Sequence, residues 1–168
     1  ICGTTESDFE LLLPNVYFVI DRSTSMQHDD NTGQSRMVRA RAGLDVIAEQ
    51  LHSEARFGMS VYPCADQNAA CDQINKEILA MGDYGEQDIK DAYTSDFTDS
   101  TCPHGDQIGL DGMDIEEGGM HCTETGSALG DVRDRQLYSE SGDPKNDQRG
   151  KAVVLITDGG ACGCSAQG

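Results

Sequence analysis

Two short stretches do most to limit what this chain can fold into. "VYFVI" at Val16 to Ile20 and "AVVLIT" at Ala152 to Thr157 are continuous apolar runs rich in β-branched residues, and they lead straight into Asp21 and Asp158. A strand with one wet face alternates polar and apolar residues; a run apolar at every position predicts a strand covered on both faces, as in a parallel sheet. Parallel strands need long crossovers, usually helical. The sequence supplies one. From Arg36 to His52, Met37, Ala40, Leu44, Ile47, Ala48 and Leu51 recur at steps of three and four, leaving Arg39, Arg41, Asp45 and Glu49 for water, with Ser35 as N-cap. "RFGMSVY" then alternates Phe57, Met59 and Val61 against Arg56, Gly58 and Ser60 until Pro63 stops it. Strand, helix and strand make a βαβ unit, and the fold class is α/β.

Further along, Ile74 to Met81 fits an edge strand better than a short helix, and Gln87 to Tyr93 reads as a brief helix. Residues 95–122, Gly- and Asp-rich without a sustained period, read as an insertion loop held by cystine rather than by packing. Ser127 to Leu137 is helical, with Ala128, Leu129, Val132 and Gln136 to Leu137 on one side, and "YSESGDPKNDQRG" is a polar connection. No internal repeat is visible. The 168 residues suit one domain, with its core in 15–160.

Charge and cysteine content narrow the function. With 30 Asp and Glu against 12 Lys and Arg, the formal net charge is −18, which argues against nucleic acid as a partner, since phosphate binding needs a basic surface. Seven cysteines without C-x-x-C pairs point to an oxidising compartment rather than a zinc ribbon. Cys64 with Cys71 and Cys102 with Cys122 are the natural loop closures, and Cys2 is a candidate mate for Cys162 or Cys164. No stretch approaches the roughly 18 apolar residues of a membrane helix. The expected setting is therefore a mature or trimmed secreted chain: extracellular, on a cell surface or periplasmic.

The chemistry concentrates where the two apolar strands end. In an open parallel sheet, ligands bind outside the carboxyl ends of the strands. If the strands are neighbours, Asp21 and Asp158 open into one crevice. Ser23 and Ser25 follow Asp21 at every second position, and hydroxyls with one or two carboxylates suit a hard divalent cation such as Mg²⁺. Zinc would call for His and Cys, which this cluster lacks. Taken alone, Asp21, Ser23 and Ser25 would read as a capped turn. "DDNTG" at Asp29 to Gly33 lacks the distal Glu of a calcium loop, and Asp111, Asp114, Glu116 and Glu117 read as surface charge rather than a Ca²⁺ site. The four histidines are scattered and read as surface residues, with His121 a weak candidate for the rim of the site.

"DRSTS", "CTETGSAL" and "VLITDGG", in this order and in this strand context, resemble the D-x-S-x-S, threonine-loop and T-D-G motifs of the von Willebrand factor A domain family. The resemblance spans about residues 15–160. It implies a doubly wound, mostly parallel sheet flanked by helices and a metal-ion-dependent adhesion site on Asp21, Ser23, Ser25, Thr123 and Asp158. Thr123, the first threonine of T-x-T-G, falls at the metal, while Thr125 caps the following helix. In that family a partner's carboxylate completes the coordination of Mg²⁺, Ca²⁺ or Mn²⁺. The implied function is metal-dependent protein binding or adhesion; the alternative is a structural subunit of an extracellular assembly in which the metal is only a staple.

The opening "CG…PNVYFVIDRSTSM" resembles secreted bacterial A-domain proteins more than integrin inserted domains. An enzyme is not expected. The site offers no Ser-His or Cys-His pair and no G-x-S-x-G elbow, and Asp21-Arg22-Ser23 lacks the second aspartate of a haloacid-dehalogenase-type phosphatase. The family fold continues past the T-D-G strand by two more helix and strand units. The expectation is thus a fragment, or a sheet completed by further polypeptide at its last strand.

Overall fold

The computed structural model describes residues 11–22, 24–27, 33–64, 74–94 and 125–159. They form an α/β fold with strands β1 (Asn15–Asp21), β2 (Arg56–Cys64), β3 (Ile74–Gly82) and β4 (Lys151–Ile156), and helices α1 (Arg36–Leu51), α2 (Glu86–Thr94) and α3 (Thr125–Asp134). The sheet order is β3-β2-β1-β4. β1 pairs parallel with β2 and with β4, and β3 is antiparallel to β2. The segment read as an edge strand is indeed a strand at the sheet edge.

Side-chain alternation along β1 and β2 sorts the core into two layers. Phe18, Ile20, Phe57, Met59 and Val61 pack with Met37, Leu44 and Ala48 of α1 and Ile89 and Tyr93 of α2. Tyr17, Val19 and Tyr62 face the other way, with Met81 and with Ala128 and Val132 of α3. Helices therefore lie on both faces of the sheet, which is the doubly wound arrangement. Burial of each large apolar side chain is worth about 1.5–3 kcal/mol. Phe18 and Phe57 add a stacked ring pair, centroids 6.0 Å apart.

Several local readings change. In α1, Leu51 is exposed and Asp45 does not simply face water: it accepts a 2.7 Å hydrogen bond from the Tyr93 hydroxyl, because α2 packs alongside. β2 runs through Pro63 to Cys64 instead of stopping before it. The missing N–H is tolerated because the β2–β3 ladder is irregular between Val61 and Cys64. α3 ends earlier than its apolar pattern suggests, and Leu129 is exposed. Its end is a Schellman motif: Leu137 N–H bonds the Val132 carbonyl, Gln136 N–H bonds that of Arg133, and Gln136 takes φ 52°.

The largest departure concerns β4. Its apolar run predicts cover on both faces, yet Val153 is 42% and Val154 36% exposed, and among the described residues only Leu155 and Ile156 at the end of the strand pack against the two core layers. At the opposite end of the sheet from the strand-end aspartates, Arg56 is buried and bonds Asp83, Asp143 and Glu140, while Arg149 reaches Asp143 at 2.6 Å and the Leu13 carbonyl at 2.9 Å. This network pins the connection between α3 and β4 beneath the sheet.

Candidate functional site

Register places the candidate residues. Ile20 pairs with Ile156, so β1 and β4 finish side by side and Asp21 and Asp158 leave adjacent strand ends. Asp21 is fully buried, and the side chain of Asp158 is 4% exposed. The two carboxylates make different contacts. Asp21 shares the alternation of Tyr17 and Val19, towards α3, and accepts a 2.7 Å hydrogen bond from the hydroxyl of Thr157. Gly159 N–H in turn donates to Thr157 Oγ1 at 3.2 Å, within a bend where Gly159 has φ 81°. Asp158, one residue on, reaches the first residue of α1: Arg36 Nη1 lies 2.7 Å from its Oδ2. The same nitrogen donates to the Ser25 carbonyl at 3.0 Å.

Three parts of the chain meet around Tyr62, which is paired with Asp21 across the β1–β2 ladder. Its hydroxyl is 3.1 Å from Thr125 Oγ1 at the start of α3. Burial, and after it the charges of Asp21 and Asp158, raise the Tyr62 phenol above its ordinary value, while hydrogen bonds to Thr125 and Thr157 pull it down. Tyr62 therefore joins the start of α3, through Thr125, to the end of β1, through its ladder pairing with Asp21. Arg22 is also buried, and its backbone N–H donates to the Tyr62 carbonyl at 2.7 Å. Burial lowers its guanidinium to about 10, which leaves it cationic at neutral pH.

Of the five residues expected at the site, Asp21, Ser25 and Asp158 are described, and Ser23 and Thr123 lie outside the described residues. Ser25 sits in a 3₁₀ turn, Thr24–Gln27, directly after β1. Thr125, expected as a helix cap, instead stands in the first turn of α3 with its hydroxyl at Tyr62. The cysteine pairings, the insertion loop, "DDNTG" apart from Gly33 and the acidic group around Asp111 also fall outside the described residues.

Tyr62, Thr157 and Arg36 were not among the residues expected at the site. Thr157 had a signal, since it precedes Asp158 and alternation puts it opposite Asp21. Tyr62 had a weaker one, as the residue that ends the apolar alternation of β2. Nothing local marks Arg36, whose partner is 122 positions away.

The donor chemistry fits a hard cation. Around Asp21 and Asp158 the described side-chain donors are carboxylate and hydroxyl oxygens, without His or Cys. Buried carboxylates also require a counter-charge, which Arg36 supplies to Asp158. Among the described residues no group of three or more His, Cys, Asp or Glu assembles, so the two aspartates would depend on hydroxyl donors to complete a cage. No family model, curated protein or solved structure matches the chain.

Proposed function

We propose that this chain is a von Willebrand factor A-type domain that binds a protein partner through a divalent cation, Mg²⁺ or else Ca²⁺ or Mn²⁺. Asp21, Ser23, Ser25, Thr123 and Asp158 would hold the ion, and an acidic group of the partner would take the remaining position. The observation that carries this reading is the placement of two buried carboxylates on adjacent parallel strand ends, with the start of α3 joined to them through Tyr62. When bound, the ion supplies a Lewis-acidic centre left short of negative charge by neutral hydroxyl ligands, and so attractive to one more anionic oxygen. The chain's own part is to bury the aspartates, orient Asp21 through the Thr157 hydroxyl and hold the β1 and β4 ends together. The reading is of a binding module without catalysis, and the cysteine-rich composition supports a setting outside the cytosol.

The test is calorimetric titration of Mg²⁺ and of Ca²⁺ into the chain and into Asp158→Ala and Ser23→Ala. Loss of affinity by at least about tenfold is expected in both variants. Unchanged affinity in both would contradict the site.

The exposed β4 favours a second reading, a structural subunit whose sheet is completed by further polypeptide. An uncovered strand bearing Val153 and Val154 is a natural template for strand addition. The metal would then be a staple, and removing it would unfold the chain instead of only releasing a partner.

A further inference from the structure

We infer that Arg36 is a resident counter-cation which a divalent ion must displace from Asp158, so that Arg36 sets the cation affinity of the site; the inference rests on the cation-binding reading above. The side chain of Asp158 is almost fully buried, and its carboxylate is held by Arg36 Nη1 at 2.7 Å. The Arg36 side chain is 40% exposed. The pair is therefore asymmetric. The guanidinium can swing into water with little change in its hydration, whereas the carboxylate stays buried, and the oxygen that Arg36 occupies is one a divalent ion would need.

A second observation points the same way. Arg36 is the first residue of α1, directly after the N-cap Ser35, whose side chain accepts from Val38 N–H at 3.2 Å. That end of a helix carries partial positive charge and favours acids, yet the first turn of α1 contains none. An arginine here stands against the local field, and the contact with Asp158 offsets the cost. The same Nη1 also binds the Ser25 carbonyl, so a single nitrogen links the turn after β1 to the end of β4. Displacing it removes one contact from a site carboxylate and one from the turn that carries Ser25 in the same movement. A divalent ion has twice the charge of the guanidinium in a smaller volume, so Coulomb attraction favours it once its concentration is sufficient.

The test compares Mg²⁺ affinity by calorimetry in the full chain and in Arg36→Gln, Arg36→Lys, Arg133→Gln and Asp158→Asn, with circular dichroism melts to verify folding. Arg133 makes the same charge change at an exposed position on α3, 74% accessible and bonded to Asp134. Arg36→Gln should tighten binding roughly tenfold, the scale of a partly buried ion pair released, with Arg36→Lys in between and Arg133→Gln within about twofold. The Arg36 side-chain N–H resonance of the unaltered chain should move towards its free-arginine position as Mg²⁺ is added. Equal tightening by Arg36→Gln and Arg133→Gln would reduce the effect to bulk charge and overturn the inference. No tightening in Arg36→Gln, with binding still lost in Asp158→Asn, would overturn the competition and leave the cation site standing. Unaltered binding in Asp158→Asn would remove the site itself, and the competition with it.

Discussion

At the residue scale, the hydroxyl of Tyr62 joins features that lie far apart in sequence. Tyr62→Phe keeps the packed ring but removes the hydrogen bond to Thr125, and should cost about 1 kcal/mol in chemical denaturation. It should weaken Mg²⁺ binding less than Asp21→Asn does, because the phenol positions the surroundings of the site rather than holding charge. Thr123→Ala and Thr125→Ala, compared in the same titration, separate the two threonines: the larger loss is expected for Thr123. A backbone prediction is independent of the site. Gln136 occupies the left-handed region at the end of α3, where glycine is at ease, and Gln136→Gly should stabilise the chain by about 1 kcal/mol, read as a higher denaturation midpoint. The aspartates at the two strand ends were legible in the sequence because each follows an apolar run. Thr157 and Tyr62 left only partial signals and Arg36 none, because their meaning lies in contacts that the sheet register and the entry angle of α1 create.

At the scale of elements, the apolar patterns located β1, β2, β4 and all three helices, and the alternation of β2 assigned Phe57, Met59 and Val61 to one layer. The pattern failed where a neighbour changed the environment: Asp45 is claimed by Tyr93 of α2, and the first four residues of the apolar β4 are exposed. Gly58 also has an element-scale role. A Cβ there would meet Tyr17 ring carbons at 2.6 and 2.8 Å, so β1 and β2 bring ring and backbone together only because the position is glycine. Gly58→Ala should destabilise by about 1–3 kcal/mol through overpacking, measured by urea denaturation.

The strap between α3 and β4 supplies a pH dependence. The Lys145 backbone N–H, then the Arg149 guanidinium, hold the Asp143 carboxyl below its ordinary range. A lowered folded-state value means that its stabilisation is complete above the unfolded value, about 4, and is lost as the pH falls through the folded one. Melting curves from neutral pH downward should show this acid loss in the unaltered chain and less of it in Asp143→Asn.

At the scale of the whole molecule, a strongly acidic chain presents two features to its surroundings: a pair of buried carboxylates at one end of the sheet and an open strand at its side. The acidic exterior makes weak, scattered cation binding unavoidable, so affinity alone is a poor witness to a specific site. The fold does not depend on the cation in the adhesion reading, because the two core layers pack without it. Chelation should therefore abolish partner binding while leaving the circular dichroism spectrum and melting temperature nearly unchanged; cooperative unfolding on chelation would favour the staple. The β4 edge gives a separate expectation. Val153→Lys places a charge on an exposed face and should leave the isolated chain folded, but it should block association with any polypeptide that adds to this edge, as read by sedimentation.

The most direct test locates the ion instead of counting it. Substoichiometric Mn²⁺ added to isotope-labelled chain should broaden the amide resonances of Asp21, Ser25, Thr125 and Asp158 together, while those of Arg56, Asp143 and Lys151 at the far end of the sheet stay sharp. Broadening spread evenly over the acidic surface, or confined to one of those strand ends, would contradict a single cation site built by the ends of β1 and β4 and the start of α3.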